Sequence, residues 1–476
     1  MRLCLVAVSC ISVLGFSSLQ AQQLTVKSAT AKAVDLEWTG ALPASSLERS
    51  SGQTFEKVAS AADGHYTDQT IQPFGVYKYR INGNGKFSNV VTVGPPPDGI
   101  TNAAPTPKGS TPQHYGQSSS VAFDENGDPV IVFEWFDPNG DGDNSDTEIR
   151  FVRWDRASYK WAPPVRVLVT GEMTENNGNP SAIACDRDTG TVAVLSQKGE
   201  DLIYALSTDH GATWTTATTP KIPESVQATS LVINSGQVHA AAMGANNVFY
   251  FNGSVSDVSS WKVQTVPTGS GWAVRPTNIP VAVDASGKPA FAFLENQQDG
   301  DQHRYVFWRP GSSDPVAIVT TTQWMDSPNV ALNYGNNKFG VLFAIPLDAK
   351  DTDHDIFYSQ SSDGASWSTP AKLPIDGPRT TNPPLDVAID SKGAVTAVFS
   401  ANAGSTDTTC NYPVVSRSAD GTNWNTCGLG KAAGARFNAQ PATLHVIEAA
   451  NDKAYVIWQA PDDNKYGTGV LVWHGR

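Results

Sequence analysis

Short apolar segments recur in pairs along most of the chain, with a period of about fifty residues that is typical of repeat architectures. Within a segment the apolar residues alternate with polar ones or run on for about four to eight positions, which predicts β-strands. No long stretch places apolar residues at i, i+3, i+4 and i+7, so we do not expect a helical core. Seven strand pairs are predicted, at residues 119–135, 181–196, 229–243, 279–295, 328–344, 384–400 and 442–458.

A third predicted strand follows each pair, as in "EIRFVRW" (148–154), and a fourth usually follows the third. Four antiparallel strands repeated around an axis form a β-propeller, so we predict an all-β protein dominated by a seven-bladed propeller. The seventh unit stops after its third strand, and residues 101–117 are available to complete it, which would join the two ends of the ring. Six blades are the alternative, if the weak unit at 229–243 is an insertion.

Residues 24–93 have a different organisation, with short predicted strands at close spacing. Trp38 lies on an early strand, and Tyr77 and Tyr79 lie on a late one. The segment resembles a fibronectin type III domain over its whole length, which implies a small β-sandwich that acts as a spacer or contact module. We therefore divide the chain into a signal peptide (1–21), this domain (22–93), a Pro-rich linker (94–100) and the propeller (101–476).

Three predicted turns between third and fourth strands share one pattern. "STDHGATW" (207–214) matches S-x-D-x-G-x-T-W, and "SSDGASW" (361–367) and "SADGTNW" (418–424) are one residue shorter. These turns resemble the Asp-boxes (BNR repeats) of sialidase-like propellers. The Asp can accept backbone N–H bonds, the Gly can adopt a positive φ and the Trp can pack between blades. The resemblance points to a fold and not to an activity, because such turns lie on the face opposite the usual site.

The first 21 residues contain one Arg, an apolar run and a small residue, Ala21, which is typical of a secretory signal cut at Ala21–Gln22. We expect a secreted or periplasmic protein without membrane insertion, since no other segment approaches the length of a membrane span. Three cysteines would remain, which is too few for a disulfide framework. Cys410 and Cys427 are open to pairing, although a simple hairpin register would leave them out of step.

The composition agrees with many short strands and tight turns, since the chain has 40 Gly and 31 Pro residues. Its formal net charge is −13, and the excess of Asp and Glu lies in the propeller region. An acidic surface repels nucleic acid and anionic membranes, so we expect neither as a partner. We expect a monomer that binds a glycan or another extracellular ligand.

The loop "DPNGDGDNSDTE" (137–148) fits D-x-N-x-D-G-x5-E, the pattern of an EF-hand calcium loop. Its flanks are predicted strands, so the loop would join the second and third strands of the first blade, as calcium loops do in the propellers of integrins. Hard oxygen ligands favour Ca²⁺, and we predict one structural Ca²⁺, with a solvated acidic turn as the alternative. The predicted ligands are Asp137, Asn139, Asp141, Asp143 through its carbonyl, Ser145 through water, and Glu148.

Three arginines precede blades four, six and seven on the same predicted face: Arg275, Arg379 and Arg436. Sialidases hold the substrate carboxylate with an arginine triad on this face, and the resemblance implies the same role through bidentate hydrogen bonds. The alternative is that these arginines brace the blades through ion pairs. Further candidates for sugar contact, or else for packing, are His114, Tyr115 and Trp272.

The sequence departs from the sialidase pattern, which leaves catalysis uncertain. The Arg-Ile-Pro motif expected before the first blade is missing, and no Tyr–Glu nucleophile pair can be assigned. We therefore rank a glycan-binding protein first. The alternatives are an exo-acting glycoside hydrolase of sialidase type, which needs converging carboxyl groups or a Tyr with a Glu, and a non-catalytic interaction scaffold.

Overall fold

The computed structural model of the 476-residue chain divides it into two compact units. One unit contains Met1–Gly94 with Arg156–Tyr159, and the other contains Pro95–Asp155 with Lys160–Arg476. Regular structure is almost entirely β among the described residues, which confirms the all-β prediction, and no helix among them is long and apolar enough to cross a bilayer. The described residues are 22–40, 44–110, 115–136, 139, 146–171, 181–275, 278–323, 329–347, 354–374, 385–402, 411–429, 444–448, 453–460 and 467–475.

The described strands of the first unit are β1 (Gln23–Ala29), β2 (Val34–Thr39), β3 (Ser46–Ser50), β4 (Glu56–Ser60), β5 (His65–Asp68), β6 (Tyr77–Gly83), β7 (Lys86–Phe87) and β8 (Val91–Val93). One sheet has the order β1-β2-β5, and the other has the order β4-β3-β6-β7 with β8 beside β6. Apolar residues alternate along β6, so Tyr77, Tyr79 and Ile81 point into the core with Trp38. The first unit therefore has two sheets that share one core.

The strands of the second unit form seven antiparallel sheets among the described residues. Sheet 1 contains β10 (Tyr115–Phe123), β11 (Pro129–Trp135), β12 (Glu148–Asp155), β13 (Lys160–Trp161) and β14 (Val165–Val169). Sheet 2 contains β15 (Ser181–Asp186), β16 (Thr191–Lys198), β17 (Asp201–Ser207) and β18 (Thr215–Thr218). Sheet 3 contains β19 (Ala228–Asn234), β20 (Gln237–Met243), β21 (Val248–Ser254) and β22 (Asp257–Thr265).

Sheet 4 contains β23 (Trp272–Arg275), β24 (Val281–Val283), β25 (Pro289–Gln297), β26 (His303–Trp308) and β27 (Val316–Thr321). Sheet 5 contains β28 (Val330–Gly335), β29 (Lys338–Pro346), β30 (His354–Ser361) and β31 (Ala371–Lys372). Sheet 6 contains β32 (Leu385–Ile389), β33 (Val395–Asn402), β34 (Asn411–Ser418) and β35 (Asn425–Gly428). Sheet 7 contains β36 (Leu444–Glu448), β37 (Ala454–Ala460), β38 (Gly469–Gly475) and β9 (Gly99–Pro105).

The sheets of the second unit are arranged in a closed ring. Contacts between successive sheets join the strands β10, β15, β19, β24, β28, β32 and β36, and β36 contacts β10 in turn. Polar side chains tie these innermost strands together, because the Asn278 amide exchanges hydrogen bonds with the backbone of Val330 in the next sheet, at 2.8 and 2.5 Å. A closed ring of antiparallel sheets is a β-propeller.

Two sheets have five strands because one strand position is interrupted. β13 and β14 pair with successive parts of β12, and they are separated by Pro163 and Pro164, which lack the N–H group that a sheet requires. β23 and β24 likewise pair with successive parts of β25. The sequence pattern did not predict β23, because this strand has four residues and lies outside the repeated strand pair.

The ring closes where β9 pairs with β38, from Gly469 opposite Pro105 to His474 opposite Gly99. The closing strand thus begins within the segment expected to be a linker. The closure includes a buried imidazole, because His474 stacks on Tyr455 at 4.2 Å and its Nδ1 atom lies 3.1 Å from the Pro96 carbonyl oxygen. Lys453 forms an ion pair with Asp98 beside this ring.

Three turns between third and fourth strands have the same hydrogen bonds, and we call them the Ser-x-Asp turns (207–214, 361–367 and 418–424). In the first, the N–H of Gly211 donates to Ser207 Oγ at 2.8 Å, and the N–H of Thr213 donates to Asp209 Oδ1 at 2.8 Å. The tryptophan of each turn packs against an aromatic ring of the preceding sheet, in the pairs Trp214–Phe151, Trp367–Phe307 and Trp424–Tyr358. These turns therefore join neighbouring sheets.

We predict that Gly211→Ala destabilises the second unit by about 3 kcal/mol, because backbone strain and overpacking each contribute. Gly211 has φ of 86°, and a Cβ atom there would lie 2.1 Å from Cε1 of the buried Phe151 ring. Gly236→Ala is the matched control, since Gly236 has φ of 72° and no atom within 4 Å of the added Cβ. Urea unfolding should show a loss of about 1 kcal/mol for the control, from backbone strain alone. Equal losses for the two variants would contradict the packing argument.

We predict that the second unit loses stability as the pH falls from about 6.5 towards 4. Burial, with the charge of Lys453, lowers the pKa of His474 to about 4. The unfolded chain therefore binds a proton more readily than the folded protein, and the stabilisation present above pH 6.5 declines on acidification by up to about 3 kcal/mol. In thermal melts at pH 7 and pH 4.5, His474→Phe should show a smaller shift in midpoint than the unsubstituted protein. An unchanged shift would contradict this assignment.

Candidate functional site

One face of sheet 1 brings together aromatic and charged side chains near the loop between its second and third strands. Tyr115 pairs with Trp135, and Trp135 pairs with Glu148 across the next pair of strands. Arg150 lies two residues after Glu148 and pairs with Arg166 on β14. Side chains of paired residues share a face of the sheet, as do those two positions apart. We call these five residues the sheet 1 cluster.

Hydrogen bonds and ion pairs hold the cluster together. The Arg150 guanidinium contacts Glu148 Oε2 through Nε at 2.7 Å and through Nη2 at 2.6 Å. Arg166 Nη1 lies 3.3 Å from the other oxygen, Glu148 Oε1. The guanidinium of Arg150 also lies over the Trp135 ring, 4.7 Å from its centroid, and the Tyr115 ring meets Trp135 edge-on at 5.2 Å. The result is an aromatic floor beneath a charged, donor-rich layer.

Exposure increases from the floor of the cluster to its outer edge. Tyr115 and Trp135 are buried, whereas the side chains of Arg150 and Arg166 are 24% and 62% exposed. Burial raises the pKa of Tyr115, so its hydroxyl stays protonated. The indole N–H of Trp135 is buried and has no acceptor among the described residues. Buried donors are nearly always paired, so we expect an acceptor from a ligand or from water beside this N–H.

Sheet 4 contains a similar cluster that is complete. Arg304 lies four positions before Trp308, as Arg150 lies four positions before Trp154 in sheet 1. Its guanidinium contacts Glu295 Oε2 at 2.7 and 2.6 Å and lies 4.1 Å from the Trp272 ring centroid.

The loop before β23 closes the sheet 4 cluster. The N–H of Gly269 donates to Glu295 Oε1 at 3.0 Å, and the Glu295 side chain is 0% exposed. A Cβ atom on Gly269 would lie 1.9 Å from Arg304 Nη2, so the backbone packs directly against the guanidinium. Burial raises the pKa of Glu295, although Gly269 and Arg304 oppose this effect. The carboxylate is therefore saturated by protein groups and is closed to a ligand.

The predicted sugar-contact residues fall in three places. Tyr115 belongs to the floor of the sheet 1 cluster, and Trp272 belongs to the closed cluster of sheet 4. Arg275 is the last residue of β23 and lies on the opposite face of sheet 4 from Trp272. The pKa of His303 is lowered mainly by the burial of its own ring and also by the positive charge of Arg275. His114, Arg379 and Arg436 lie outside the described residues, so the convergence of the three arginines stays a prediction.

The predicted calcium ligands are only partly described. Asn139 is an exposed turn residue, and Glu148 belongs to the sheet 1 cluster. Both carboxylate oxygens of Glu148 contact arginines, so coordination of Ca²⁺ by Glu148 would have to share these oxygens with the guanidinium groups or replace one of the contacts. Among the described residues, no group of three or more His, Cys, Asp and Glu side chains could hold a metal. The remaining predicted ligands, Asp137, Asp141, Asp143 and Ser145, lie outside the described residues.

Sequence reasoning missed Trp135, Arg150 and Arg166, which carry most of the sheet 1 cluster. The alternation in "EIRFVRW" does place Glu148 and Arg150 on one face of the third strand. Their contact with Trp135 depends on the register across loop 137–147, and the sequence does not specify that register. The sequence therefore offered Tyr115 and the charge pair as signals, but not the contact of Trp135 with them.

Comparison with known proteins gives structural similarity alone. No family model and no curated protein matches the chain. The fucose-specific lectin from Aleuria aurantia is 12% identical, with a TM-score of 0.41, over 70% of this chain and 96% of the lectin. The α-L-arabinanase of Penicillium chrysogenum is 12% identical, with a TM-score of 0.44, over 80% and 98%. A variant of NanB sialidase from Streptococcus pneumoniae is 12% identical, with a TM-score of 0.39, over 95% and 94%. Structural similarity at this level assigns neither a ligand nor an activity to this chain.

Proposed function

We propose that the protein binds carbohydrate at the sheet 1 cluster. The observation that supports this function is the unpaired indole N–H of Trp135, which lies beneath a partly exposed guanidinium and its carboxylate partner. An Arg–Glu pair that only braced a sheet would be completed by protein groups, as Gly269 completes the pair in sheet 4. In sheet 1, Glu148 accepts from no such backbone N–H among the described residues, and a ligand would supply a donor to Glu148 and an acceptor for the N–H of Trp135.

The chemistry of the cluster suits a sugar. A hydroxyl group both donates and accepts hydrogen bonds, so it can donate to the carboxylate of Glu148 while it accepts from Arg150 or Trp135. Hydrogen bonds that involve a charged group are about twice as strong as neutral ones, which favours binding from water. A mostly apolar floor with a few fixed polar groups is the usual composition of a small-molecule site.

We predict that Trp135→Phe weakens binding about threefold to tenfold, because one neutral hydrogen bond contributes about 0.5–1.5 kcal/mol. Trp308→Phe is the control, since Trp308 is equally aromatic and buried but lies in sheet 4, where its indole N–H already donates to Ser312. An array of oligosaccharides would identify the tightest ligand, and calorimetric titration would give its affinity for each protein. Equal affinities for the two variants, or no binding to any oligosaccharide, would refute the proposal.

We further propose that loop 137–148 binds one Ca²⁺ in a structural role, as its ligand pattern suggests. Five acidic residues lie within these twelve positions, and a cation would offset their mutual repulsion. The loop leads directly into Glu148, so its order would affect the outer edge of the sheet 1 cluster. Calcium is thus proposed to support the binding site without taking part in chemistry.

We predict that Ca²⁺ raises the melting midpoint of the protein. A ligand at a hundredfold excess over its dissociation constant stabilises the folded state by about 2.7 kcal/mol. The comparison is between melts in calcium and in chelator, for the unsubstituted protein and for Asp141→Ala. The same midpoint in calcium and in chelator would mean that the loop is only an acidic turn.

The family-level assignments follow as proposals. The seven sheets support a seven-bladed propeller of the sialidase-like class, and the hydrogen bonds of the Ser-x-Asp turns support their assignment as Asp-boxes. The two sheets of the first unit, with Trp38 and Tyr79 in a shared core, support a fibronectin type III-like domain. Export with cleavage at Ala21–Gln22 stays a prediction. The hydrolase alternative depends on Arg379 and Arg436, which lie outside the described residues.

A further inference from the structure

We infer that the glycan bound at the sheet 1 cluster carries an anionic group, a carboxylate or a sulfate ester, and that Arg166 selects it. The inference rests on the proposed function. Two guanidinium groups meet a single carboxylate here, so the contacting groups carry a net positive charge. This charge is local, because the chain as a whole has a formal net charge of −13.

The two arginines are held differently. Arg150 makes two short contacts with Glu148 Oε2 and lies against Trp135, so it is fixed in place. Arg166 makes a single longer contact of 3.3 Å, and its side chain is 62% exposed. An exposed ion pair of this length contributes little to stability. Arg166 can therefore turn towards a ligand at little cost to the fold.

The donors of the cluster outnumber its acceptors. Each guanidinium has five N–H groups, and only three nitrogen atoms of the two groups contact Glu148. The indole N–H of Trp135 adds another donor. A carboxylate or a sulfate offers several acceptor atoms and a charge, and it binds guanidinium in bidentate geometry, which a neutral hydroxyl does not do. The ligand that best completes this donor set is anionic.

Other sheets show that a surplus arginine is not needed to build the fold. In sheet 4, Arg304 is balanced by Glu295, and no second arginine contacts this carboxylate among the described residues. In sheet 5, the fourth-strand cation Lys372 has a carboxylate of its own, Asp355, at 2.6 Å. Sheet 1 alone of these three combines two cations with one carboxylate in the described contacts. The difference points to a ligand and not to a structural requirement.

Two pairs of probes distinguish the effect of the ligand's charge on affinity from the effect of its sugar. The first pair is a hexamer of galacturonic acid and its methyl ester, which has the same sugar but no charge. The second pair is a sulfated dextran oligomer and the unsulfated oligomer. The full-length protein would be titrated with each probe in millimolar calcium, so that the proposed ion offsets the acidic loop 137–148.

The anionic member of at least one pair should bind about tenfold more tightly than its neutral partner, as expected for a charge-assisted hydrogen bond. Arg166→Gln should abolish this preference, because it should lower the affinity for the anionic partner much more than the affinity for the neutral one, and Arg166→Lys should retain part of it. Lys262→Gln removes one positive charge from an exposed position on β22 of sheet 3 and should have no effect. The pair that shows the preference distinguishes a carboxylate ligand from a sulfate ligand.

The other outcomes overturn the inference. Equal affinities for the charged and neutral partners would refute the inference and leave carbohydrate binding intact. A preference for anions that Arg166→Gln does not change would have the same consequence. If neither anionic probe binds, the inference that the ligand carries an anionic group is refuted as well. Carbohydrate binding itself would fail only if no oligosaccharide, charged or neutral, bound to the unsubstituted protein.

Discussion

The pairing of β9 with β38 is the interaction on which the second unit depends. A ring of separate sheets has no hydrogen bonds between its first and last members unless a strand from one end of the chain pairs with the other end. Here Gly99–Pro105 supplies the outer strand of sheet 7. The side-chain amide of Asn102 donates a hydrogen bond to the carbonyl of Thr468, which lies 366 positions later in the chain. Gly469 permits the approach, because a Cβ atom there would lie 2.1 Å from the Ala104 carbonyl oxygen.

The closure also supports the candidate site, because sheet 1 adjoins sheet 7. Gln459 on β37 is buried, and its amide donates a hydrogen bond to the Tyr115 carbonyl oxygen at 2.8 Å. Tyr115 and Trp135 share an apolar core with Tyr455 and Val470 of the last sheet. The aromatic floor of the sheet 1 cluster therefore packs against residues near the other end of the chain.

Two clusters with the same chemistry differ in whether the protein completes them. In sheet 4 the loop before β23 brings the N–H of Gly269 to Glu295, and the carboxylate is saturated. In sheet 1, Glu148 Oε1 contacts Arg166 and no backbone N–H among the described residues. The third-strand arginines alone would not reveal this difference, since both precede a tryptophan by four positions.

The sequence by itself determined the all-β class, the repeated strand pairs and the tight turns, because these depend on alternation and on residues close together in the chain. Asp390, for example, accepts the N–H of Ala394 within the tight turn between β32 and β33. Only the tertiary structure decided which residues meet in the site. The contact of Trp135 with Arg150 requires a register across a loop, and the saturation of Glu295 requires the backbone of Gly269 from a separate segment. Such contacts are fixed by packing and strand register, which no local pattern of residues specifies.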